Sequence, residues 1–471
     1  MIWNSPLRGK NFDVVTLGCR TNHYEAEAIV AMLTSRGAHF LKSGDTSISP
    51  DILVLVTCSI TSVADAKTRK LIRRLRRTYP DALLVATGCY VQGKGDDEVL
   101  GLGVDVAIGN RLKSTLPDAI ETWFETSLPK RSLSHRTDVS RCDLHWDALE
   151  FDRPRIHTRA FVKVQEGCSR GCSYCIVPSV RGPQISRDDE DIVREISGIV
   201  ASGCREVVLT GIHLGSYRHE GTTLADLIRE ISAIPGLERL RLGSIEPFSI
   251  DDALLAALAD SSAFCPHLHI PLQSGDDEIL KKMRRGYSAA DFAGTVARIR
   301  ARLGDDVHLS TDLIAGFPGE NEAAFERSLA LLEELAFGRI HVFPFSARAG
   351  TPAAVMEGRV SREAARDRVG RAVALSAKLL AEYAESWVSR RDTVMVESIR
   401  GDNESADSIA TGWTRHYLKA YFRLPREDSG EKSVGNIVEF VANRAVGGIL
   451  FGDDLNAASF SPTDDGAEEA I

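Results

Sequence analysis

Long hydrophobic runs are missing from this chain: no apolar stretch approaches the roughly 18 residues that a membrane helix needs, so no membrane partner is expected. The opening residues, MIWNSPLRGKNFDVV, lack the basic-then-apolar layout of a secretory signal, and a cytoplasmic protein is expected. Cysteine is sparse, with nine in 471 residues, which argues against a disulfide framework. An excess of positive charge is also absent. Lys and Arg number 57 against 66 Asp and Glu, a net charge of −9, which excludes indiscriminate nucleic-acid binding but leaves room for a local basic face. The length exceeds one ordinary core and suggests two or three domains, and 43% apolar with 26% charged residues is ordinary for a soluble globular protein.

What the chain does have is three thiols within eight residues. Residues 167–178 read GCSRGCSYCIVP, placing Cys168, Cys172 and Cys175 at C-x3-C-x2-C spacing with no fourth cysteine nearby. A structural zinc site usually takes four ligands, commonly as two cysteine pairs. Three thiolates instead suit a tetrairon–tetrasulfur cluster whose fourth iron stays open to an exogenous ligand. Gly167 and Gly171 would let the backbone wrap closely. An open iron is what radical chemistry with S-adenosylmethionine requires, and Tyr174 completes a C-x3-C-x-aromatic-C pattern.

Around this loop the chain alternates strand and helix patterns. At the N-terminal end DVVTLG, DILVLVT and LLVATG each lead directly to a cysteine, Cys19, Cys58 and Cys89, with amphipathic segments between them. This is a βαβαβ parallel sheet, and its strand ends are where ligands sit in such sheets. The three cysteines are then either small buried residues at strand ends or one shared site. Residues 126–158 look like a linker carrying Cys142 without an assigned role; Cys204 and Cys265 stand alone. From 159 to 388 six strand candidates, 161–165, 206–212, 239–244, 267–272, 307–316 and 339–345, alternate with helices, as in an open or partial (β/α)6 barrel. Residues 389–453 are β-rich with glycine breaks, consistent with a small β-barrel, and 454–471 form an acidic tail.

Two basic stretches are candidate nucleic-acid contacts. In KTRKLIRRLRR (67–77), helical spacing puts Lys67, Lys70, Arg74 and Arg77 on one stripe, with Leu71, Ile72 and Leu75 facing inward. Near the end, Arg415, Lys419, Tyr421 and Arg423 have the even spacing of one strand face. Each stretch reads either as a solvated face or as a phosphate contact.

These motifs resemble the methylthiotransferases of the radical-SAM superfamily. The resemblance runs from about residue 12 to 452 in the family's domain order: an N-terminal α/β domain (10–125), a radical-SAM core and an RNA-binding-type barrel, the TRAM domain. It is carried by TLGCRTNHYEAE, VTCSIT, ATGCYVQ and the Cys168–Cys175 loop. It implies that Cys19, Cys58 and Cys89 hold a second tetrairon–tetrasulfur cluster. One S-adenosylmethionine would methylate sulfur associated with that cluster, and another would yield the radical that opens an unactivated C–H bond for sulfur insertion. RAFVKVQEGCSRGCSYCIVPSVRG and LTGIHLGSY look most like the group acting on threonylcarbamoyladenosine beside the tRNA anticodon, where isopentenyladenosine enzymes carry an Asn-rich motif. Val56 and Arg218 depart from the family's usual Asn and Gly. Expected partners are the anticodon stem-loop of tRNA, an external electron donor of flavodoxin type and a sulfur donor.

By the same resemblance Thr210 and Gly211, at the second strand's end, and Gln273 and Ser274, at the fourth's, line the cofactor or substrate pocket. Asp312, Gly316, Glu320 and Arg348 join them, although Arg348 reads equally as a structural ion pair and His267 and His269 as interior histidines. Methylthiolation of isopentenyladenosine or of a ribosomal-protein aspartate is the rival activity. A non-enzymatic iron–sulfur RNA-binding protein is the rival class, and it leaves the barrel motifs unexplained.

Overall fold

Residues 52–57, ILVLVT, are buried throughout, and their alternation divides two cores. Ile52, Val54 and Val56 join Val14, Ile29, Leu33, Val85 and Ile120 on one face, while Leu53 and Leu55 join Leu71, Ile72, Leu75 and Leu84 on the other. A strand packed on both faces belongs inside a parallel sheet, because parallel crossovers place helices on both sides. The computed structural model, which describes residues 5–41, 48–126, 133–140, 145–401, 408–424 and 433–452, has such a sheet at its N-terminal end. Its order is His39–Phe40, Asn11–Thr16, Ile52–Thr57, Leu83–Gly88, Val106–Ile108, Leu133–His135, all parallel. Cys142 and the acidic tail lie outside the described residues.

The chain divides into two units, the first comprising residues 1–202, 210–213 and 346–354 and the second the remainder. Within the first, part of the stretch read as a linker is strapped down. Leu133–His135 adds the sixth strand, and Glu27 accepts the N–H groups of Arg155, Ile156 and His157 at 2.7–3.1 Å. Asp147 likewise accepts from the Lys113 and Ser114 amides at 2.8 and 3.2 Å. Scattered charges made this segment look unattached; Asp147 is one of its attachments, and its backbone amides on Glu27 are others. The buried strand Ala160–Glu166 follows and leads into the cysteine loop.

In the second unit, Arg239–Leu242 runs parallel to Glu206–Gly211, whose last two residues belong to the first unit. His267–His269, His308–Ala315 and Arg339–Pro344 form a parallel set, with helices such as Leu224–Ser232, Ala289–Leu303 and Glu322–Glu334 between strands. Single bridges, Leu240 to Phe264 and Ser244 to His269, carry the arc across. After the long helix Arg362–Glu385 comes a six-stranded sheet ordered 437–441, 391–401, 408–414, 419–424, 449–451, 444–446. It curls as a half-barrel rather than a closed one, over a core of Trp387, Val394, Phe422 and Phe440.

That sheet is anchored by buried charge. Arg241 donates to Glu206 at 2.9 Å and to the Thr414 carbonyl at 2.7 Å, and Arg239 donates to the Thr393 carbonyl at 2.6 Å. Among the described residues, no helix is long and apolar enough to cross a membrane.

Candidate active site

The first unit's sheet ends in three cysteines because each strand breaks into a turn at the same edge. Cys19 caps the helix Arg20–Ser35, Cys58 follows Ile52–Thr57, and Cys89 opens the short helix Cys89–Gly93. Gly18 shows how tightly the first two turns meet. Its φ is +124°, and a Cβ there would lie 2.8 Å from the Cys58 Cβ. Asn22 holds the same turns from within, donating to the carbonyls of Leu17 and Thr57 at 2.6 and 3.1 Å.

Polar groups converge on these sulfurs. The buried Arg181 donates from Nε to Cys89 Sγ at 3.1 Å and from Nη2 to Asn22 Oδ1 at 2.8 Å. Asn110 Nδ2 lies 3.6 Å from Cys89 Sγ, and Cys19 Sγ lies 3.8 Å from Asn22 Oδ1. Burial pushes the Cys58 thiol up to about 12, helped by the neighbouring Cys89 and Cys19 sulfurs. Burial also raises Cys89, against the pull of Arg181. Ligation therefore has to displace protons from both. Among the described residues no three His, Cys, Asp or Glu side chains close around a single ion. A tetrairon cluster spreads its thiolates over separate corners, and three soft sulfurs beside a buried cation fit it.

The second cysteine group stands on the loop after Ala160–Glu166, in the same unit. Gly167 turns it with φ +70°, and a Cβ there would fall 2.0 Å from the Pro183 carbonyl oxygen. Gly171 faces open space without a left-handed φ, so glycine is not sterically required there. The Cys168 amide donates to the Gly182 carbonyl at 3.0 Å, the Cys175 amide to Cys172 at 3.2 Å, and the Arg170 amide to Cys168 Sγ at 3.4 Å. All three cysteines and Tyr174 are half-buried. Thr210 is buried, and Ile212, next to Gly211, donates its amide to the Gln165 carbonyl at 3.1 Å.

Arg348 resolves toward the structural pair: it donates to Asp65 Oδ2 at 2.9 Å and to Ser59 Oγ at 3.0 Å. In the second unit, Asp312 lies 3.2 Å from His269 Nε2, whose other ring nitrogen meets Ser310 Oγ at 3.0 Å. Burial pushes the Asp312 carboxyl up, but His269 holds it below the ordinary value. Gln273 adopts φ +72° and pairs through its backbone with Asp312 and Ile314. Ser274 Oγ lies 3.4 Å from Ser328 Oγ. Glu320 accepts from the Gly316 amide at 2.7 Å and from Arg368 at 2.8 Å, so it braces that turn; burial raises its carboxyl.

The basic helix is Ser62–Thr78, with Thr61 capping it through the Ala64 amide. Lys67, Lys70, Arg74 and Arg77 are exposed and Leu71, Ile72 and Leu75 buried, as its periodicity implies. The even-spacing reading fails at Arg415. It stands in the turn between Ser408–Thr414 and Lys419–Leu424, donating to the Phe264 carbonyl at 2.7 Å, because the first of these strands ends one residue before it. Lys419 lies on the strand, 5.4 Å over the Tyr421 ring, and Tyr421 itself is buried. Of the two departures, Val56 packs in the sheet core and Arg218 lies in extended backbone paired with Thr223.

Sequence reasoning missed Arg181, Asn22, Glu25, Glu166, Lys113 and Lys163. One signal was available: Lys163 sits mid-strand in FVKVQE, and Glu25 interrupts the apolar side of YEAEAIV, where packing alone favours carbon.

Two family profiles match the chain, one described as the Radical SAM superfamily over residues 162–332, the other as uncharacterized protein family UPF0004 over 11–109. A Bacillus subtilis protein named threonylcarbamoyladenosine tRNA methylthiotransferase MtaB is 34% identical over 90% of this chain and 92% of its own. A Burkholderia thailandensis protein named tRNA-2-methylthio-N(6)-dimethylallyladenosine synthase is 31% identical over 96% of this chain and 99% of its own. Among solved structures, the radical S-adenosylmethionine methyltransferase TsrM from Kitasatospora setae, with cobalamin and a [4Fe-4S] cluster bound, superposes with a TM-score of 0.54. It covers 74% of this chain and 77% of TsrM at 16% identity, a likeness of fold alone.

Proposed function

The chain belongs to the radical-SAM tRNA methylthiotransferases, and from that premise we propose that it converts N6-threonylcarbamoyladenosine beside the tRNA anticodon into its 2-methylthio derivative. One observation carries the reading: two separate cysteine groups, Cys19/Cys58/Cys89 and Cys168/Cys172/Cys175, stand in one structural unit. One group alone would serve radical cleavage; sulfur insertion needs a second centre.

Each group would hold one [4Fe-4S] cluster. When bound, S-adenosylmethionine and the clusters supply C–H activation, the methyl group and sulfur. The protein's own residues do the rest. Gly167 shapes the loop that presents Cys168, Cys172 and Cys175, and the half-buried Tyr174 stands in that loop. Thr210 and Gly211 end the strand Glu206–Gly211 and would face the cofactor. Gln273, Ser274, Asp312 and Gly316 would shape the substrate side, with Glu320 and Arg348 as braces. Lys67, Lys70, Arg74 and Arg77, with Lys419, would meet tRNA phosphates, while Arg415 is taken up by the Phe264 carbonyl. A flavodoxin-type electron donor, a sulfur donor and a cytoplasmic setting complete the reading.

The choice of threonylcarbamoyladenosine over dimethylallyladenosine rests on LTGIHLGSY, since the 34% and 31% identities of the two relatives do not separate them. In that motif Gly215 packs so close to Ser249 that a Cβ would lie 2.4 Å from the Ser249 Cβ. The test is competition. Reconstituted protein, reductant and S-adenosylmethionine receive equal amounts of tRNA bearing each nucleoside, and digests are read by mass spectrometry. Methylthio product from threonylcarbamoyladenosine is expected; product only from the dimethylallyl nucleoside would overturn the substrate assignment.

A further inference from the structure

Between the two cysteine groups of the first unit lies a buried charge cluster that the reaction as described leaves unused. At its centre is Arg181, 1% exposed, six residues beyond Cys175. Its fork is fully engaged. Nε donates to Cys89 Sγ at 3.1 Å, Nη2 to Asn22 Oδ1 at 2.8 Å, and Nη1 to Glu25 and Glu166 at 3.0 Å each. Asn22 carries the contact to the turns before Cys19 and Cys58 through the Leu17 and Thr57 carbonyls. Glu166 carries it the other way, accepting the Gly167 amide at 3.1 Å, one residue before Cys168. Lys163 and Lys113 also pair with these carboxylates, at 2.8 and 3.3 Å. Three cations thus face two carboxylates, and of the three it is Arg181 that reaches a sulfur.

We propose that Arg181 is a positioning residue that raises the reduction potential of the cluster held by Cys19, Cys58 and Cys89; the proposal rests on the reading that these cysteines hold one. A cation donating a hydrogen bond to a cluster thiolate, in a site shielded from water, favours the more negative, reduced state. The couple is one electron from the titrant to the cluster, with no bond made or broken.

The test uses the full chain carrying Cys168→Ala, Cys172→Ala and Cys175→Ala, so that the remaining cluster is read alone. After anaerobic reconstitution it is titrated with dithionite and followed by electron paramagnetic resonance. Arg181→Gln leaves Glu25 and Glu166 short of a cation, so the double variant Arg181→Gln/Glu25→Gln restores the balance and protects folding. Both should keep iron and shift the midpoint downward, the double variant by less because it also loses the Glu25 charge, and Arg181→Gln by the full amount. The ratio of reduced to oxidised cluster at a fixed potential should fall about tenfold, equivalent to about 59 mV for one electron. Arg181→Lys, which keeps the charge but not the fork, should fall between. An unchanged midpoint in iron-loaded Arg181→Gln would overturn the proposal. Loss of iron from a folded double variant would also overturn it, making Arg181 an assembly residue. A parent triple variant that takes up no iron would instead overturn the two-cluster reading, and the proposal with it.

Discussion

Replacing Lys67, Lys70, Arg74 and Arg77 together by Gln should weaken tRNA binding in a way that salt reveals. All four side chains are exposed, while the helix is seated by Leu71, Ile72 and Leu75, so the change should cost the fold little, within about 0.5 kcal/mol per site. Ten residues of helix carry the stripe about 15 Å along its axis, enough to follow several phosphates. Each neutralised phosphate contributes about 0.7–0.9 to the slope of log affinity against log salt, so four contacts contribute about 3 to 3.5. Between 50 and 200 mM salt those contacts alone account for roughly a 50- to 150-fold loss of affinity. Fluorescence anisotropy with labelled tRNA across that range should show the wild-type line steeper by this amount. Parallel lines would refute the reasoning, because they would mean that the stripe meets no phosphate and is a solvated face.

Three further outcomes follow from particular contacts. Gly167→Ala should abolish assembly at Cys168–Cys175 while sparing the other group, because the new Cβ meets the Pro183 carbonyl; iron analysis should show about half the wild-type content. Arg241→Met removes one of the two arginines paired with the buried Glu206 and the donor to the Thr414 carbonyl, and should cost about 3 kcal/mol, read as faster hydrogen exchange over 391–401 and 408–424. His308 is buried with its pKa held down at about 3, by burial first, and Nδ1 lies 2.8 Å from the His416 carbonyl. The unfolded chain takes up that proton near pH 6.5 and the native chain does not, so stability should fall as pH drops from about 6.5 toward 3. Urea midpoints for His308→Asn should lose about one proton's worth of that slope; an unchanged slope would show that His308 protonates freely in the fold.

Much of this architecture was legible because the signals were periodic. The runs before Cys19, Cys58 and Cys89 alternate or stay apolar over strand length, and the Leu71/Ile72/Leu75 stripe marks the basic helix. The cysteine spacing was equally readable, being a local chemical requirement. The Arg181 cluster was not. Its members come from residues 22, 25, 89, 110, 113, 163, 166 and 181, and charge pairing has no period along a chain. Arg348 illustrates the same blindness, since only the fold brings it to Asp65, 283 residues away. Arg415 misled because even spacing extends past the end of a strand as readily as along it.

The central claim is a division of labour between two cysteine groups, and one comparison tests it most directly. Wild-type protein, Cys168→Ala and Cys89→Ala are reconstituted anaerobically, assayed with reductant, S-adenosylmethionine and threonylcarbamoyladenosine-bearing tRNA, and analysed for iron, 5′-deoxyadenosine and the methylthio nucleoside. The wild type should hold about eight iron atoms and make both products. Cys168→Ala should make neither product, and Cys89→Ala should still release 5′-deoxyadenosine but no methylthio nucleoside. Methylthio nucleoside formed by Cys89→Ala at the wild-type rate would contradict the account, for sulfur insertion would then not need the second group.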